Sequence, residues 1–124
     1  MTEIPVIPMT HRQAANASIL VLAMTMLETD PIMQELTARF RLRSAEDRAR
    51  LFELEAQVPS VGQAALDEIR ALAHRLSGSS GTFGYPELSC SARILDDLLT
   101  AGSVQEQDLR QSIAAVARDI DALA

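Results

Sequence analysis

His74 lies mid-chain in a setting that suits an imidazole to act as a nucleophile. Around it the apolar residues Ile69, Leu72, Leu76 and Phe83 recur at helical spacing, and at ~100° per residue His74 falls about 160 to 200° from Leu72 and Leu76. This spacing places His74 on the solvent side of its helix. The residues stacked beside it are Arg70 at i−4, Ser77 at i+3, Gly78 at i+4 and Gly81 at i+7. Glycine in a helix interior costs up to ~1 kcal/mol relative to alanine, so two of them beside an exposed imidazole call for an explanation. Small residues there let another body approach. An unshielded imidazole nitrogen can attack phosphorus if the donor brings its phosphate close without side chains in the way, and a glycine shelf supplies that clearance.

The elements that must position this helix can be read from capping signals and apolar spacing. Pro5 and Pro8 suit a flexible arm over residues 1–9. Thr10 with Gln13 reads as a capping box for an extra N-terminal helix within 10–29, carrying Ile19, Leu22, Ala23, Met26 and Leu27. Asp30 and Pro31 supply an N-cap and a first-turn proline for the next helix, with Met33, Leu36 and Phe40 on one side. Leu51, Leu54 and Val58 resume that stripe, but Ser44 and Asp47 interrupt it, which leaves two readings: one long helix with a wet middle, or a second piece capped by Ser44. Pro59 and Ser60 are expected to end the segment, with Ser60 and Gln63 boxing the start of the His74 helix. That helix should reach Phe83, and Gly84, Tyr85 and Pro86 form a turn before the helix of Leu88, Ala92, Leu95 and Leu99, which Gly102 closes. Ser103 and Glu106 read as a third box, followed by the seam of Leu109, Ile113, Val116, Ile120 and Leu123.

No stretch alternates with period two, so the fold class expected is all-α: an antiparallel four-helix up-and-down bundle with an additional N-terminal helix. The 124 residues make room for a single domain over 10–124, with the bundle over 30–124.

Composition excludes several functions. The net charge of −6 is the wrong sign for neutralising nucleic-acid phosphates, and all 11 basic residues are arginine, which rules out lysine chemistry such as a Schiff base. Cys90 is the sole cysteine, so no internal disulfide, CxxC pair or zinc framework can form. The run Ile19 to Met24 is too short for a membrane span, and a cytoplasmic protein without a membrane anchor is expected. There is no GxxxxGK[ST] loop, so autonomous phosphorylation from ATP is not expected.

The twelve residues Ala73-His74-Arg75-Leu76-Ser77-Gly78-Ser79-Ser80-Gly81-Thr82-Phe83-Gly84 resemble the signature around the phosphorylated histidine of histidine-containing phosphotransfer (HPt) domains. Residues 30–123 can be laid onto that family's four-helix core, with the signature on its second helix. The resemblance implies a bacterial-type two-component phosphorelay in which His74 takes a phosphoryl group from one receiver aspartate and gives it to another. It also implies modification at Nε2, no cofactor of the chain's own, Mg²⁺ supplied by the receiver, and response-regulator receiver domains and a hybrid histidine kinase as partners. On this view the protein is a monomeric phosphocarrier and not an autonomous enzyme. One position departs from the family: its usual lysine three residues after the histidine is Ser77 here. Arg70 is the first candidate to supply the missing charge, and Arg75 the second.

Other residues are read more plainly. His11 has no supporting cluster, Cys90 no accompanying base, and Met24, Met26 and Met33 suit core filling. Asp96 and Asp97 diverge by ~100° on a helix and are expected to form a solvated face instead of a carboxylate pair. Two rival functions remain. One is a module of the same fold that binds and sequesters a receiver without accepting phosphate. The other is a helical oligomerisation protein using the 109–123 seam and the apolar first helix.

Overall fold

The structure, a computed structural model, describes residues 30–123. The arm and the extra N-terminal helix expected over 1–29, including His11, lie outside the described residues. The chain divides into two units, Met1–Leu36 and Thr37–Ala124, and the second carries His74.

Among the described residues four helices follow in order: α1 Pro31–Val61, α2 Gln63–Thr82, α3 Pro86–Thr100 and α4 Glu106–Asp121. The Asp30 side chain caps α1 by accepting from the Ile32 N–H at 2.9 Å. α1 is one uninterrupted helix, and its middle is polar but not wet: Ser44 and Asp47 are both buried. Asp47 is accommodated because Arg75 of α2 donates to its Oδ1 at 2.8 Å.

Two of the expected helix starts are corrected. Pro59 sits inside α1, and Ser60 donates to the Gln57 carbonyl instead of capping α2. The chain breaks one residue later than Val61, at Gly62, whose φ of 53° belongs to the left-handed region that glycine enters without a Cβ clash. Likewise Ser103 does not cap α4, which starts after the extended residue Gln105 with no side-chain cap.

The α2–α3 turn closes as a Schellman motif. Tyr85 N–H reaches the Ser80 carbonyl at 2.9 Å, Gly84 N–H reaches that of Gly81 at 3.3 Å, and Gly84 takes a φ of 80°. Phe40 of α1 stacks on both Phe83 and Tyr85, with ring centroids 5.0 and 5.6 Å apart, and so covers this turn with apolar surface.

Antiparallel order follows from which residues meet across the helices. Phe40 meets Phe83, Asp47 meets Arg75 and Arg50 meets Glu68, so numbers fall along α2 as they rise along α1. Arg48 with Asp121 and Glu55 with Arg110 set α1 antiparallel to α4 in the same way. α3 packs against both α2 and α4, which completes an all-α up-and-down four-helix bundle. Leu51, Leu54, Ile69, Leu88, Leu95, Ile113 and Val116 fill its centre, and the whole 109–123 seam is buried. Among the described residues no helix is long and apolar enough to cross a membrane.

Candidate functional site

α2 buries Ile69, Leu72, Ala73 and Leu76 on one side. His74 consequently emerges on the other, with its imidazole 80% exposed. Although it faces solvent, the ring is held: Nδ1 lies 2.9 Å from Asp96 Oδ2 of α3. A carboxylate can only accept, so this contact places the imidazole proton on Nδ1 and leaves the Nε2 lone pair directed away from Asp96.

Asp96 is itself fixed. Its side chain is only 14% exposed, Arg70 Nε lies 3.5 Å from Oδ1, and Thr100 Oγ1 donates to the Asp96 carbonyl at 2.8 Å. Asp67, Arg70, Ala71, His74 and Asp96 line an open depression of about 320 Å³. A larger one, about 560 Å³, is lined by residues including Phe52, Val58, Leu66 and Leu109 and contains no histidine. His74 thus borders the smaller depression and not the roomier one.

The glycine shelf lies along α2 from His74. A Cβ added at Gly78 would meet nothing within 4 Å, and one at Gly81 would meet only Ser89 Oγ at an ordinary 3.6 Å. The bundle itself thus gives neither position a steric need for glycine. Ser77 turns back onto its own helix, donating to the His74 carbonyl at 2.8 Å, and its carbonyl accepts from Ser89 Oγ of α3 at 2.8 Å. The hydroxyl at the position where the HPt signature carries lysine is thereby occupied within the fold.

The two arginine candidates separate. Arg70 shares the Asp96 carboxylate with His74. Arg75 points instead to Asp47 of α1, whose carboxyl is pushed above its usual range chiefly by burial, with the Arg75 charge and hydrogen bond opposing. Gly84 belongs to the helix-ending turn.

Asp96, expected only on a solvated face, is instead largely buried and paired with His74, a contact that sequence reasoning missed. A signal was available, since His74 and Asp96 lie equally far from Tyr85 along the chain. Folding α2 back on α3 about that turn brings such positions side by side. Cys90 is exposed and stands without a partner thiol.

A family model described as Hpt domain matches residues 28–124. Neither a curated protein nor a solved structure matches the chain.

Proposed function

The chain belongs to the Hpt domain family, which carries out phosphotransfer in two-component signalling, and on that footing we propose that His74 is the phosphoacceptor of a relay between receiver aspartates. What carries the proposal is the solvent-exposed imidazole whose Nδ1 is tied to Asp96. With the proton kept on Nδ1, the Nε2 lone pair attacks the phosphorus of a receiver aspartyl phosphate. The new N–P bond forms as the P–O bond to the aspartate breaks, and the receiver carboxylate departs with the electron pair. The resulting imidazolium retains its Nδ1 proton against the Asp96 carboxylate, which offsets the charge created on the ring. In the return step a second receiver's carboxylate oxygen attacks phosphorus, and the N–P electrons go back to Nε2.

Gly78 and Gly81 are the clearance over which the receiver docks. The divalent cation and most of the stabilisation of the moving phosphoryl group belong to the receiver, so the protein acts as a carrier and not as a kinase. A hybrid histidine kinase and one or more response regulators are the partners this requires.

The test is to incubate the protein with phosphorylated receiver domains and follow acid-labile phosphate on wild type and on His74→Gln. Label that reaches the wild type and spares the variant supports the carrier. Binding without label on either protein would replace it with a module that sequesters its receiver.

A further inference from the structure

A phosphoryl group on His74 would bring about two negative charges to a surface whose nearby arginines are mostly committed elsewhere. Arg75 is held by Asp47 at 2.8 Å, and Arg70 lies against Asp96 at 3.5 Å. Arg93 of α3 differs from both: it is exposed, and among the described residues it has no ion-pair or hydrogen-bond partner.

Its place on α3 is bracketed by contacts to the His74 helix. Ser89, one turn earlier, donates to the Ser77 carbonyl at 2.8 Å, while Asp96, three residues later, meets His74 at 2.9 Å. Residues at i−4 and i+3 share a helix face with the residue between them, so Arg93 rises on the side of α3 that borders α2 beside Ser77. There it lines an open depression of about 470 Å³ with Gly81, Gly84, Ser89 and Cys90. The Gly78 surface next to it is bare, since a Cβ there would meet nothing within 4 Å.

We propose that Arg93, and not Arg70 or Arg75, is the cation that contacts the phosphoryl oxygens carried by His74, reaching across from α3 over the glycine surface of α2. The inference rests on the reading of His74 as phosphoacceptor. A guanidinium presents several donors in a planar fork, which suits a tetrahedral oxyanion, and one with no partner has no existing ion pair to break before it moves. Asp96 and Arg93 would then divide the work between helices, Asp96 holding the ring through Nδ1 and Arg93 holding the group on Nε2.

The test uses phosphoramidate as donor, which needs no receiver protein: its P–N bond breaks, ammonia leaves and the phosphoryl group passes to the histidine. Wild type, Arg93→Gln, Arg93→Lys and the remote surface variant Arg118→Gln are loaded in parallel, and the second ionisation of the phospho-histidine is followed by phosphorus NMR. The expected result is an ionisation about one pH unit lower in wild type than in Arg93→Gln, with Arg93→Lys retaining much of the difference and Arg118→Gln matching wild type. The phosphorylated Arg93→Gln protein should also lose its label several-fold faster. A wild type that labels normally while Arg93→Gln titrates identically overturns the role of Arg93 alone. A wild type that takes no label on His74 overturns the phosphoacceptor reading, and the Arg93 inference with it.

Discussion

Asp96 Oδ2 lies 2.9 Å from Nδ1 of His74, so a carboxylate of α3 fixes the ring of a residue that α2 presents almost wholly to solvent. An unrestrained surface imidazole divides its proton between two nitrogens and rotates freely. This one has a single hydrogen-bonded orientation, backed by Arg70 on the same carboxylate.

Asp96→Asn should therefore slow phosphotransfer to His74 without removing it. The amide can rotate to offer either an oxygen or a donor to Nδ1, and it no longer offsets charge on the ring. Losses on the order of 10- to 100-fold are expected, the range seen for carboxylates that orient metal-bound imidazoles. Transfer rates from a phosphorylated receiver, together with ring-nitrogen chemical shifts, measure the effect. Unchanged rates with an unchanged tautomer would remove Asp96 from the mechanism.

Gly78→Ala separates stability from function. The added methyl meets open space and converts a poor helix former into a good one, so thermal stability should rise by up to ~1 kcal/mol. On the proposed docking over this surface the same methyl obstructs the receiver, and transfer and receiver affinity should fall. A variant that is both more stable and equally active would mean that the glycine serves no docking purpose.

Much of the bundle was legible in the residues themselves, and the exceptions have two physical causes, partners on another helix and local backbone geometry. The 109–123 seam could be read because its spacing of four and three is a property of one helix, and His74's exposure because Leu72 and Leu76 flank it on the same helix. Asp47 could not: its burial depends on Arg75, 28 residues away on α2. Asp96 misled in the same manner, since its partner lies across a turn. Ser60 and Ser103 failed as caps for a local reason. The left-handed Gly62 and the extended Gln105 settle where those helices begin, and a serine three residues before a glutamine or glutamate does not. Arg75 was a fair phosphate candidate by its nearness to His74, yet neighbours in sequence diverge on a helix, and its divergence leads to α1.

Phe40→Ala should destabilise the protein by about 3–5 kcal/mol. Its ring is buried and stacks on both Phe83 and Tyr85, so removal leaves a void against the α2–α3 turn. The expected outcome in chemical denaturation is a lower midpoint with little change in slope. At temperatures where the variant remains folded its transfer rate should stay near that of wild type, because the His74–Asp96 pair is held farther along the same two helices. A rate that falls in folded protein would show instead that the turn controls the site.

The pH dependence of stability should carry the signature of Asp47. Burial raises its carboxyl above the usual 3.8, and the Arg75 charge and hydrogen bond offset this only in part. A folded-state value above the unfolded one means that the native protein binds the proton more tightly. The stabilising contribution is then full below the unfolded value and is lost as pH rises through the folded one. Glu68 works in the opposite sense: its hydrogen bond from Arg50 lowers its carboxyl, so its contribution is present at neutral pH and lost on acidification. Asp47→Asn removes the first effect and leaves the second, while its amide oxygen can still accept from Arg75. Melting temperatures taken from about pH 3 to about pH 7 should show the variant gaining on wild type as pH rises. A wild type that instead gains on the variant would show that the pair with Arg75 outweighs the cost of burying the Asp47 charge.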